Sequence, residues 1–214
     1  MTVLSNEELT NMFLNSVVTL RPDFFIEVGC FEASASIYVS SKLPECNVYA
    51  YEANPHNYSN FKDQLLQYNF NYVNKAISDF HGTTQFYLQK LKKKNKNKNK
   101  HVRGNNSLLK RTDRKVEYEE VSVNCNTLDN LHYQEDSTYA LWIDAEGKGF
   151  EVLTGSEQIL KKTKLLLIEV ESIRHWKEQL LDYDVIALLT MHGFKQIYRD
   201  QEYPEQYNIL FEKV

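Results

Sequence analysis

The sequence predicts an α/β fold, an open and mostly parallel sheet with helices on both faces and an antiparallel strand at its C-terminal end. Three observations carry that reading. Short apolar runs at residues 24–28 (FFIEV), 139–144 (YALWID) and 164–170 (KLLLIEV) have the continuous hydrophobicity of strands covered on both faces. Segments of helical period separate the strands, as in βαβ units. The 214 residues, 42% hydrophobic and 13% aromatic, suit one domain with a full core and a ligand cleft.

Ser5 and Glu8 form a capping box ahead of Leu9, Met12, Phe13, Ser16 and Val17, which predicts an opening helix over residues 5–19. Arg21-Pro22 ends it before the first strand at 24–28. Small residues from Ala33 to Ser36 open a second helix that ends near Leu43-Pro44, and residues 47–52 (NVYAYE) form the next strand. Pro55 suits the first position of a helix running to residue 68, followed by a strand at 72–77. Residues 83–91 and 116–125 read as an inserted hairpin straddling a basic loop. A fourth core strand at 139–144, a helix at 150–160, a fifth strand at 164–170 and a helix at 178–191 continue the alternation. Residues 194–198 and 207–212 form a terminal strand pair, a surface through which a homodimer could form. Residues 1–214 are thus expected to be a single domain.

Only 7 Gly and 4 Pro exclude collagen-like and linker compositions. No apolar run approaches the roughly 18 residues of a membrane span, and MTVLSNEEL lacks a basic region followed by an apolar one, so a cytoplasmic location is expected. Cys30, Cys46 and Cys125 are widely spaced without a CxxC pair, which indicates neither disulfides nor a zinc site. The net charge of −4 is uneven. Residues 90–115 carry 12 Lys or Arg against one acid, or +11, leaving −15 elsewhere. Within them, KKKNKNKNK at 92–100 has nothing to bury and reads as a mobile, solvated loop.

Sheets of this kind bind ligands beyond the carboxyl ends of their strands, here the loops at 29–36, 52–55, 77–82 and 144–149. The first loop, EVGCFEA, lacks the GxGxxG that lets a backbone approach a pyrophosphate, which disfavours a nicotinamide dehydrogenase. An acid two residues before Gly29 suits an amine-bearing or cationic ligand, and S-adenosylmethionine has both an amine and a sulfonium. Glu52 in YEANP stands where a strand-terminal acid accepts hydrogen bonds from ribose hydroxyls. Each acid has a plainer reading, as a turn cap or as a helix N-terminal charge.

The blocks FIEVGCFEASAS (25–36), VYAYEANP (48–55), NKAISDFHG (74–82), LWIDAEGKGFEVLTGSEQIL (141–160) and LLLIEVE (165–171) resemble the FkbM-type methyltransferases. These are S-adenosylmethionine-dependent O-methyltransferases of the Rossmann-like class I fold, and the resemblance spans residues 23–171. The first loop departs from the family pattern, with Phe31 and Ala33 in place of a second small residue and a second glycine. The resemblance implies that Glu27, Gly29 and Cys30 contact the methionine part of the cofactor. It places Glu52 on the ribose with Ala53 and Asn54 beside it, and Ala76, Ile77 and Ser78 around the adenine. Asp144 and Glu146 fall where methyl and acceptor meet, Asp144 also touching the cofactor, and His175 is a further candidate base. Asn106 and Ser107 are candidate acceptor contacts. Glu169 and Glu171, two apart on one strand face, join Asp144 and Glu146 in a four-carboxylate set on the substrate side. Such oxygens suit a hard cation such as Mg²⁺, but the resemblance requires no metal and none is assigned.

The leading expectation is methyl transfer to a hydroxyl of a sugar, a glycan precursor or a related small polar metabolite, leaving S-adenosylhomocysteine. An RNA ribose or cap methyltransferase using the basic insertion ranks lower, because residues 92–115 hold no Phe, Tyr or Trp to stack on bases. A non-catalytic scaffold of the same fold is the third reading.

Overall fold

A computed structural model describes residues 2–91, 102–113, 115–201 and 203–214, so the expected mobile loop at 92–100 lies outside the described residues. The strands are β1 (Thr2–Leu4), β2 (Phe24–Val28), β3 (Asn47–Glu52), β4 (Asn71–Asn74), β5 (Ala76–Ile77), β6 (Gly82–Gln89), β7 (Tyr118–Asn126), β8 (Tyr139–Ile143), β9 (Thr163–Glu171), β10 (Phe194–Asp200) and β11 (Gln206–Lys213). The helices are α1 (Asn6–Leu20), α2 (Ser34–Lys42), α3 (Pro55–Leu65), α4 (Leu128–His132), α5 (Gly149–Thr154), α6 (Glu157–Lys162) and α7 (Asp182–Met191). The main sheet has the order β1-β10-β11-β9-β8-β2-β3-β4, and β11 alone runs antiparallel to its neighbours. The expected open, mostly parallel sheet with an antiparallel C-terminal strand is therefore present.

The period-two alternation of β2 divides the core. Phe24, Ile26 and Val28 face α5, α6 and α7 with Leu141, Ile143, Val152, Leu160 and Leu189. Phe25 faces the opposite layer, with Leu9, Phe13 and Val17 of α1 and Val39 of α2. The capping box of α1 forms as expected, the Ser5 N–H donating to Glu8 Oε2 at 2.9 Å and the Glu8 N–H to Ser5 Oγ at 3.3 Å. Below the cleft, Tyr51 Oη and His132 Nε2 meet at 2.5 Å inside an aromatic cluster, and burial lowers the His132 pKa to about 4.

Several expected elements change shape for local reasons. The strand expected at 72–77 divides at Lys75, so that β4 stays in the main sheet while β5 joins a second sheet of order β5-β7-β6. The expected hairpin is β6 and β7. The helix expected to reach residue 68 ends at Leu65, because Leu66 is 82% exposed and finds no core to pack on. The helix expected at 150–160 breaks into α5 and α6 at Gly155, where a Cβ would lie 2.1 Å from the Ser78 carbonyl oxygen. Asp129 then caps α6, accepting from the Gln158 and Ile159 N–H groups at 2.9 Å each. The last helix starts at Asp182 rather than 178, since the Gln179 side chain accepts the His175 and Trp176 N–H groups and holds that stretch in a loop. β1 and α4 were not expected. The terminal strand pair lies within the sheet, with β9 against β11 and β1 covering the outer edge of β10. All three cysteines are free and buried. Among the described residues no helix is long and apolar enough to cross a membrane.

Phe13 is fully buried, edge-on to Trp142 and 6.3 Å from Phe25. Phe13→Ala is expected to lower the unfolding free energy by about 3–5 kcal/mol in urea titration. A loss below about 1 kcal/mol would show that α1 does not dock as described.

Candidate functional site

The loops after β2, β3 and β8 converge at the carboxyl ends of their strands, the place expected from the fold. Gly29 fixes their spacing. Its φ is +78°, and a Cβ there would lie 1.7 Å from the Asp144 carbonyl oxygen, so only glycine lets the two loops touch. The Asp144 N–H donates to the Val28 carbonyl at 2.9 Å, and the Gly29 N–H to the Tyr51 carbonyl at 2.9 Å, which binds three strand ends together.

These loops wall a cleft with about 150 Å³ of solvent-fillable space. Gly29, Glu52, Ala53, Asn54, Ala76, Ile77, Asn106, Ser107, Asp144 and Glu146 all line it, as the sequence reading grouped them. Glu52 is buried at the end of β3, its Oε1 accepting from the Asn54 N–H at 2.7 Å and its Oε2 from Asn57 Nδ2 at 3.5 Å. Burial pushes its carboxyl up to about 7 against the pull of those bonds. Asn54 accepts the His56 N–H at 2.9 Å and so caps α3 while its backbone serves Glu52.

Glu169 and Glu171 fall outside this lining, and four further expected contacts sit elsewhere. Glu27 follows Phe25 onto the α2 face of β2, where its Oε2 accepts from the Ser36 N–H at 2.9 Å and from Ser36 Oγ at 2.5 Å. It caps α2 from below instead of lining the cleft, and burial pushes its carboxyl up to about 7. Cys30 is buried behind the first loop, its thiol pushed well up by burial. Ser78 is buried with its hydroxyl on Asp79 at 3.1 Å, because the chain turns there to meet Asn126. His175 lies on the loop after β9 with Nε2 4.0 Å from Glu205 Oε2, outside the cleft lining.

The acids past β8 and β9 come together. One carboxylate oxygen each from Asp144, Glu146 and Glu169 lies within 4.8 Å of the others. Glu171 is buried two residues further along β9. Desolvation is the largest cause raising all four pKa values; repulsion from Asp144 adds to it at Glu146, Glu169 and Glu171, while a hydrogen bond from Glu169 draws Asp144 back down. The loop between them is held by sterics: Gly147 has φ +78°, and a Cβ on it would lie 2.4 Å from Trp176 Cδ1.

Residues 102–113 roof the acceptor side. Tyr87 and Ser107 form a β-bridge, Asn106 Oδ1 accepts from the Gln89 N–H at 2.8 Å, and Asn106 Nδ2 donates to the Val102 carbonyl at 2.8 Å. Ser107 Oγ donates to the Glu146 carbonyl at 2.6 Å, and the Asn105 N–H donates to Glu146 Oε1 at 3.0 Å. Asn106 and Ser107 thus spend their side chains on the roof itself. The roof continues to Arg111, which pairs with Trp176 by a β-bridge and stacks its guanidinium 4.8 Å from that ring. Sequence reasoning missed Phe31, Asn57, Phe86, Arg111 and Trp176, which no local motif marks.

The strand order, the carboxyl-end cleft and its two strand-terminal acids define a class I S-adenosylmethionine-dependent methyltransferase. The sequence model of the Methyltransferase FkbM domain matches residues 26–196, and the chain belongs to that family, with S-adenosylmethionine as methyl donor. Solved structures agree on the fold. A precorrin-6y C5,15-methyltransferase from Geobacter metallireducens matches with TM-score 0.50 and 15% identity, over 99% of this chain and 91% of that one. An rRNA methylase from Streptococcus thermophilus matches with TM-score 0.52 and 11% identity, over 100% and 99%. An S-adenosylmethionine-dependent methyltransferase from Clostridium acetobutylicum matches with TM-score 0.50 and 7% identity, over 98% and 92%. No curated protein sequence matches the chain.

Two substitutions test this geometry. Gly29→Ala is expected to cost more than about 2 kcal/mol of stability, while Gly104→Ala, with open space around its Cβ, stays within about 0.5 kcal/mol. Equal effects would remove the loop contact from the account. A raised carboxyl stabilises the fold below its unfolded pKa near 4.5 and loses that contribution as pH rises through about 7. Glu52→Gln is therefore expected to stabilise the ligand-free protein by about 1–3 kcal/mol at pH 8, and by almost nothing near pH 4.5. A pH-independent difference in urea titration would contradict the buried charge.

Proposed function

We propose that residues 1–214 form one O-methyltransferase domain that moves the methyl of S-adenosylmethionine to a hydroxyl of a sugar, a glycan precursor or a related small polar metabolite. The observation that carries this reading is the pair Asp144 and Glu146 at the acceptor end of a cleft whose other end holds Glu52. Glu52 accepts hydrogen bonds from the ribose hydroxyls, with Ala53 and Asn54 beside it. Gly29 brings the backbone against the methionine part, and Ala76 and Ile77 take the adenine against Phe31 and Phe86. Glu27 acts indirectly, holding α2 and the first loop in place.

In the reaction, Asp144 accepts the proton of the acceptor hydroxyl while that oxygen attacks the methyl carbon in line with the departing sulfur. The carbon–sulfur bond electrons return to sulfur, which leaves neutral S-adenosylhomocysteine and a methyl ether. Most of the acceleration comes from alignment, and the base adds to it. Carboxylates at the acceptor end welcome hydroxyl donors and repel a phosphate backbone, which places the RNA reading second.

Titration calorimetry and a methyl-transfer assay test the proposal. S-adenosylmethionine is expected to bind with micromolar affinity and to weaken by at least about tenfold in Glu52→Ala. Asp144→Asn is expected to lower kcat by about 10²–10⁴ with cofactor affinity held within a few fold. Methylated nitrogen or carbon in the product would refute O-methyl transfer. Cofactor binding without transfer to sugar hydroxyls or RNA would leave the scaffold reading.

A further inference from the structure

We propose that Asp144, Glu146 and Glu169 bind one divalent cation, Mg²⁺ or Mn²⁺, at the acceptor end of the cleft, with Glu171 as a fourth oxygen donor. The site's use in methyl transfer rests on the reading above, whereas the binding itself does not.

The first support is geometric. Oxygens that share a cation at about 2.1–2.5 Å lie about 3–5 Å apart, and the three carboxylates each bring one oxygen within 4.8 Å of the others. They come from two adjacent parallel strand ends, β8 and β9, so the sheet fixes their spacing.

The second support is an orphaned group outside that trio. Glu171 is only 4% exposed, yet its Oε1 has no hydrogen-bond partner. Gln179 is its polar neighbour and draws its pKa down, yet the Gln179 amide nitrogen and Glu171 Oε1 both lack a well-formed hydrogen bond. Glu171 shares the face of β9 with Glu169, two residues away, and so lies on the side of the sheet where the cluster forms. A buried carboxylate oxygen without a donor is costly, and a cation removes that cost.

Charge balance points the same way. Four acids converge, and the side chain whose positive field reaches Glu146 and Glu171 is Arg111, stacked on Trp176. The nearby Lys148 ammonium is taken by Glu151 at 2.5 Å. A bound cation would polarise an acceptor oxygen and loosen its proton, which favours acceptors that present two neighbouring oxygens.

The test is Mn²⁺ titration of the full-length, chelator-stripped protein by calorimetry and electron paramagnetic resonance, alongside S-adenosylmethionine titration of the same samples. The expected result is one Mn²⁺ per chain, its affinity reduced by at least about tenfold in Glu169→Gln while cofactor affinity changes by less than about threefold. Asp144→Asn serves if Glu169→Gln does not fold, and circular dichroism reports the fold of either variant. Absence of saturable Mn²⁺ binding to the wild type overturns the proposal, as does binding that survives both substitutions. Mn²⁺ binding without cofactor binding would instead refute the methyltransferase reading and leave the cation site standing.

Discussion

The contact between Gly29 and the Asp144 carbonyl is the constraint on which the site depends. Parallel strands β2 and β8 end side by side, and their loops must turn to opposite tasks within a few ångströms. A glycine at φ +78° lets one loop lie on the other, and the Val28 carbonyl then takes the Asp144 N–H. That contact sets the distance between the acid at the end of β3 and the acids past β8. Gly147 repeats the device on the acceptor side, where its missing Cβ admits the Trp176 ring.

The same convergence costs stability. Glu27, Glu52, Asp144, Glu146, Glu169 and Glu171 all have raised pKa values, and burial is the leading cause in each. A protein selected for stability alone would not gather six carboxylates at one end of its sheet. The rigid frame offsets the cost, since β2, β8 and β9 pack apolar faces on both sides and hold the acids against mutual repulsion. Ligand charge relieves what the frame only restrains, and so binding and stability are linked in this site.

The central strands β2, β8 and β9 were legible in the sequence because they are continuous apolar runs that leave one reading open. The helices were legible in place but not in length. Nothing local marks Gly155 as the point where the chain passes under the Ser78 carbonyl, and so two short helices read as one. The division of residues 71–77 between two sheets has no pattern in a run that short. The direction of Glu27 was readable: it sits two residues after Phe25 and must share its face, which is the helix side. Its carboxylate therefore belongs to α2, whatever the spacing to Gly29 suggests. Arg111 and Trp176 lay beyond sequence reasoning because they are 65 residues apart and meet only through a β-bridge between two loops.

The roof over the cleft explains why the two halves of the site cannot be treated separately. The Arg103 carbonyl accepts from Asn57 Nδ2 at 2.9 Å, and the same amide reaches Glu52. Two residues later the Asn105 N–H holds the Glu146 carboxylate, and Ser107 holds its carbonyl. One segment of five residues therefore ties the acid at the ribose end to the acid at the acceptor end. The backbone of that segment is fixed in turn by Asn106 against β6, so it transmits position rather than absorbing it. A displacement of the segment at either end must strain the hydrogen bonds at the other, so the roof couples the two acids whose spacing the Gly29 contact sets.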